Sequence, residues 1–107
     1  MFVSHTEEGY SEPVEGIHMK TLAYGEKTLL TRFKLKKGAK LPAHSHPHEQ
    51  TGYLISGKII LHIGEESHEV SPGDSWCIAG DVEHRAQVIE DAVAVEVFSP
   101  VREDYLP

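Results

Sequence analysis

Apolar and polar residues alternate along this chain in short runs, each about the length of a β-strand. The runs are TLLTRFKL (28–35), TGYLIS (51–56), KIILHIG (58–64), DSWCIA (74–79), HRAQVI (84–89) and VAVEVFS (93–99). A period of two sends successive side chains to opposite faces of a sheet. Each run is bounded by Gly, Pro, Asp or Ser, the residues that supply turns. Gly38, Gly57, Gly64, Gly73 and Gly80 recur at intervals suited to consecutive antiparallel strands. No stretch of ten or more residues carries a helical period. Many short strands at even spacing predict an all-β protein, a sandwich or a barrel. His62 and His68 fall on a predicted hairpin and are expected to face solvent.

Composition narrows the function. The 107 residues suit one domain with one core, and residues 1–15 read as an N-terminal strand or arm. Ten basic against seventeen acidic residues give a net charge of −7, and the short KLKKGAK at 34–40 alternates like a solvated strand face, so nucleic-acid binding is not expected. Cys77 has no partner for an internal disulfide, which fits a reducing compartment. MFVSHTEEGY lacks a charged region followed by an apolar run, and no apolar stretch approaches the ~20 residues of a membrane span. A cytoplasmic protein without membrane contact is therefore expected. Eight histidines are the anomaly.

Three of them fall in HSHPHEQ, residues 44–50. His44 and His46 are two apart, so on a strand both imidazoles face the same way. Pro47 does not suit a central ladder, and a bend there would bring Gln50 onto that face. His84 follows AGDVE at the start of a later strand. With no cysteine cluster, imidazole nitrogen and amide oxygen are the donors on offer, which suit nickel, zinc, manganese or iron. His48 keeps the parity of its neighbours only if the bend is ignored and is a secondary candidate. Glu49 is expected in solvent, and His5 and His18 carry no argument.

Gly38, His44-Ser45-His46, Gln50 and Gly57 together resemble the first motif of the cupin superfamily, and GDSWCIAGDVEH (73–84) within residues 73–88 resembles the second. The spacing between the motifs, Gly57 to Gly73, is that of small single-domain bacterial cupins. The resemblance implies a double-stranded β-helix, or jelly roll, with one divalent transition metal held by His44, His46, Gln50 and His84. Ala79 stands where the second motif usually has proline and Val88 where it often has asparagine; neither position is a ligand. Gln50 stands where the first motif usually has glutamate. Three imidazoles and an amide leave the cation's charge uncompensated, and a unit charge pair ~4 Å apart is worth about 4 kcal/mol at an effective dielectric near 20, before desolvation. Such a site favours an anionic ligand in its open positions, and a small organic acid chelating through carboxylate and a neighbouring oxygen fits.

The tail EVFSPVREDYLP (96–107) differs from the strands in character. If Glu96 and Phe98 point inward, an acid–base group and an aromatic wall meet the metal, and Arg102 arrives past Ser99-Pro100 as a partner for a carboxylate. Equally, Phe98 is ordinary core and REDYL an exposed end with weak surface ion pairs. From Gly16 to Leu106 the chain is similar to the pectin-degradation cupins, which linearise 4,5-unsaturated monouronates; GIHMKTLAYGE, HSHPHEQ and VFSPVREDYL carry the likeness. That resemblance implies Glu96, Phe98 and Arg102 as the catalytic group, with Glu96 where the family has aspartate. It implies an anionic, uronate-like substrate. A metal-dependent dioxygenase or isomerase on another small acid, and a non-catalytic sugar-acid binder, remain as alternatives. Outward-facing Tyr53 and Ile55 suit a homodimer.

Overall fold

The computed structural model describes all 107 residues, and strands dominate it. They are β1 (Ser11–Val14), β2 (Ile17–Tyr24), β3 (Leu29–Leu35), β4 (Lys40–His44), β5 (Glu49–Ile63), β6 (Glu66–Val70), β7 (Ser75–Ile78) and β8 (His84–Ser99). One 3-10 turn, Glu103–Tyr105, closes the chain, and no helix is long and apolar enough to cross a membrane. All pairings are antiparallel, in the order β1-β2-β3-β8-β5-β6, with β4 added to β8 and β7 to β5.

β5 and β8 organise everything else. The first half of β5 pairs with β7 and with the second half of β8, which also pairs β3. The second half of β5 pairs with β6 and with the first half of β8, which also pairs β4. Each long strand thus serves two layers, the arrangement of a jelly roll.

The alternation pattern divides these two strands into four runs, whereas the chain runs through both breaks without a turn. Gly57 explains the first. It adopts φ +85°, and a Cβ there would lie 2.2 Å from the Asp91 carbonyl oxygen and 2.5 Å from the Ala92 Cα. Only glycine fits where the two bent strands approach so closely. The inward set on β5 accordingly switches from Gln50, Gly52 and Leu54 to Ile59 and Leu61. On β8 the even positions stay inward, from His84, Ala86 and Val88 to Ala92, Ala94 and Phe98. Asp91, which reads as a turn residue, instead accepts a hydrogen bond from the Lys37 backbone N–H at 2.8 Å.

Leu54, Ile59, Leu61, Val70, Ala86, Val88, Ala92 and Ala94 form the buried cluster between the layers. Each large side chain there contributes about 1.5–3 kcal/mol of burial. Five of its members, Ile59, Leu61, Ala86, Val88 and Ala94, also line the cavity bordered by His44, Gln50, His84 and Glu96.

Candidate metal centre

Three imidazoles meet where β4 ends and β8 begins. His44 closes β4 and His84 opens β8, and they are direct partners in the ladder, with ring centroids 4.1 Å apart. His46 lies beyond the end of β4, so a shared strand face does not bring it in. The loop does: the His46 carbonyl accepts the Asp81 backbone N–H at 2.8 Å, in a turn where Asp81 has φ +66°. Gly80 passes so close to this loop that a Cβ would sit 2.5 Å from the Pro47 carbonyl oxygen. The ring of His46 ends 5.0 Å from that of His84 and 5.7 Å from that of His44.

All three rings are oriented the same way chemically. The Nδ1 atoms face backbone carbonyls: His44 to Pro42 at 2.9 Å, His46 to His48 at 3.0 Å, and His84 to Val82 at 2.9 Å. A carbonyl only accepts, so each Nδ1 carries the hydrogen and each Nε2 keeps its lone pair. The ligand atoms of the three residues lie within 4.8 Å of one another. The Nε2 atoms of His46 and His84 are buried with no hydrogen-bond partner. Burial holds His84 down to about 4, opposed by its bond to Val82, and holds His46 below the usual histidine range, with Arg102 adding to the effect. Neutral, lone-pair-bearing nitrogens facing one point fit a transition-metal ion.

Gln50 is 5% exposed and enters on β5 opposite Phe98. Its Nε2 donates to Glu96 Oε2 at 2.8 Å, while its Oε1 is buried and unpartnered. The second Glu96 oxygen, Oε1, accepts the Trp76 indole N–H at 3.1 Å. Burial pushes the Glu96 carboxyl up to about 7, against the lowering effects of Trp76, Gln50 and Arg102. Gly52 makes this contact possible. It pairs with both Trp76 and Glu96, and a Cβ on it would lie 2.2–2.4 Å from three indole atoms. The bare backbone leaves the indole free to lie across β5 and reach the carboxylate.

Phe98, 1% exposed, stands edge-on to His46 at 5.8 Å and to Tyr105 at 5.4 Å, so it is core and site wall together. Arg102 stacks over Tyr105 at 3.8 Å and over Phe98 at 5.1 Å. Asp104 takes its Nε at 3.1 Å and Nη2 at 2.8 Å, and those bonds hold the Asp104 carboxyl below its usual range. Nη1 has no such commitment. His44, Gln50, Trp76, His84, Glu96 and Arg102 share one cavity of about 320 Å³ with a largely apolar remainder.

Sequence pattern had pointed to His44, His46, Gln50, His84, Glu96, Phe98 and Arg102, and the fold gathers all seven. His48 contributes its carbonyl, not its ring, and Glu49 is exposed. Pattern missed Trp76, Gly52 and Tyr105, which depend on strand register and on the return of the tail. His62, expected in solvent, is half-buried with an unpartnered Nε2.

Residues 31–100 match the family model described as Cupin domain. The fold superimposes on the structure of KdgF from Halomonas sp. with TM-score 0.92 and 29% identity, covering 99% of this chain and 98% of that one. An RmlC-like cupin from Shewanella frigidimarina gives TM-score 0.92 at 23% identity, over 98% and 95% of the two chains. An oxalate decarboxylase variant of Bacillus subtilis gives 0.76 at 23% identity, over 84% of this chain and 27% of that one. No curated protein sequence matches the chain.

Proposed function

The chain belongs to the cupin family, and we propose that it is a metal-dependent enzyme that opens the ring of a 4,5-unsaturated monouronate to the linear keto acid. One observation carries this: the imidazoles of His44 and His84, an unpartnered amide oxygen, a buried carboxylate and a guanidinium border one cavity, and the His46 ligand atom lies within 4.8 Å of the other two. Its volume falls in the usual range of small-molecule sites, about 300–1,000 Å³. The sequence likeness to the pectin-degradation cupins and the whole-length likeness to KdgF support the choice of substrate.

His44, His46, His84 and Gln50, the last through its oxygen, would hold the ion. When bound, the ion supplies Lewis acidity to substrate oxygens. The proton work belongs to Glu96. Its carboxylate takes the proton of the anomeric hydroxyl; the C1–O5 bond breaks, giving an aldehyde at C1 and an enolate at C5. The same carboxyl group returns the proton to C4, giving the C5 ketone. Atoms balance without a redox partner. Arg102 offers Nη1 to the substrate carboxylate, held in place by Asp104 and the Tyr105 ring. Phe98 and Trp76 keep water from the carboxylate.

The test is loss of the conjugated alkene's ultraviolet absorbance when 4,5-unsaturated galacturonate is added to metal-loaded protein. Loss well above that with His84→Ala, and abolished by a chelator, is expected. Equal rates for the two proteins, with metal bound to the wild type, would overturn the reading. As parts of the same proposal, the protein works in the cytoplasm as a homodimer using the exposed Tyr53 and Ile55, at 48% and 47% exposure, which sedimentation of a Tyr53→Lys variant would test.

A further inference from the structure

Glutamine at position 50 raises a question of its own, because a terminal amide has two ends of nearly the same shape. One is an oxygen that can ligate a cation; the other is an NH₂ that cannot. Something must choose between them. We propose that Glu96 makes that choice, acting as a positioning residue that turns the Gln50 oxygen toward the three histidines. This rests on the metal assignment above and goes beyond the acid–base role given to Glu96.

In its ionised form, the form in which both oxygens accept, Glu96 has no hydrogen to offer Gln50. Both oxygens of Glu96 are already committed, one to Gln50 Nε2 at 2.8 Å and the other to the Trp76 N–H at 3.1 Å. The amide therefore has to present its nitrogen to Glu96, and its oxygen is left buried and unpartnered. Trp76 keeps the arrangement from reversing. Its indole N–H is a donor and nothing else, and Gly52 fixes the ring beside the carboxylate. The same bond explains why the ligand is neutral. A carboxylate at position 50 would set two carboxyl groups at the 2.8 Å contact, which could then meet only by sharing a proton. Gln50 and Glu96 are thus one unit, and neither can change alone.

Consider the variant E96Q. Trp76 claims the oxygen of the new amide, whose NH₂ then faces position 50. Gln50 flips to accept it and turns its own NH₂ toward the histidines. The exchanged pair Q50E/E96Q repairs this, because a carboxylate at 50 accepts from the new NH₂ with one oxygen and keeps the other for the ion.

The experiment is zinc titration of the metal-free protein against a chromophoric chelator, with unfolding of each metal-free variant as the fold control. E96Q is expected to bind zinc about 10–100-fold more weakly. Q50A weakens binding comparably, and Q50A/E96Q is no weaker than Q50A. The exchanged pair binds at least as tightly as wild type, and its recovery stands even if E96Q alone folds poorly. If the E96Q loss recurs in full on the Q50A background, Glu96 acts by charge alone and the proposal is overturned. Wild-type affinity in E96Q, or no recovery in the exchanged pair, overturns it as well. If His84→Ala loses zinc while E96Q does not, only this proposal fails. If His84→Ala binds as wild type, the metal assignment falls and takes the proposal with it.

Discussion

Gly52→Ala puts one methyl group where the structure has no room for it. The added carbon would lie 2.2 Å from Trp76 Cε2, 2.3 Å from Cζ2 and 2.4 Å from Nε1. Ordinary carbon contacts are ~3.5–4 Å, so the indole must shift by more than about 1 Å. Its bond to Glu96, now 3.1 Å, breaks with that shift. Overpacking of this kind costs ~1–3 kcal/mol, and losing a hydrogen bond to a charged group costs ~1.5–3 kcal/mol more. Together the loss is about 2.5–6 kcal/mol, a large fraction of the ~5–15 kcal/mol that holds a typical domain. Trp76 is the sole tryptophan, so its emission reports on both the indole's surroundings and unfolding. Denaturant titration of the metal-free variant should show a lower midpoint, and the native emission should move to the red. A variant within ~0.5 kcal/mol of wild type, with unchanged emission, would refute the claim that the bare backbone at 52 is what seats the indole.

Gly57→Ala should cost at least ~2 kcal/mol in the same titration, because it combines φ +85° with a clash against the Asp91 carbonyl; an unaffected midpoint would mean the bend lies elsewhere. His84 sits at about 4 against an ordinary 6.5, so protonation favours the unfolded chain. In metal-free protein its contribution is complete above pH 6.5 and lost as pH falls toward 4, on the order of 3 kcal/mol, visible as a shrinking stability gap between wild type and His84→Asn. Glu96, raised from 4.5 to about 7, has the opposite sign, its contribution complete below pH 4.5 and lost as pH rises through 7, so the wild-type profile alone should be flatter than the His84 gap. Arg102→Lys keeps the charge but loses the planar stack on Tyr105 and the paired bonds to Asp104, and should raise KM for the uronate with little change in kcat.

Some of this was legible in the chain itself. The two motifs named His44 and His84 as candidate ligands, and the bend expected at Pro47 named Gln50, but the ladder pairing of His44 with His84 appears only in the fold. His46 lies beside His44 and His84 for another reason than the one expected: the Gly80–Asp81 turn sets it, not strand parity. β4 hid behind Pro42, which is tolerated at the edge of a sheet; β6 was foreseen only as the hairpin of His62 and His68, because four exposed residues before Val70 give it no alternation. β5 and β8 were cut in two because Gly57 and Asp91 look like turns, yet each sits at a bend the ladder spans. The Gly52–Trp76–Glu96 contact needed the register of three strands at once, which alternation does not specify.

The measurement that bears most directly on the function is proton NMR of 4,5-unsaturated galacturonate in D₂O with catalytic metal-loaded protein. Ring opening with proton return to C4 predicts decay of the vinyl signal and a linear keto acid carrying deuterium at C4, faster than with His84→Ala. A vinyl signal that decays no faster than in that control, with metal bound at His44, His46 and His84, would contradict it.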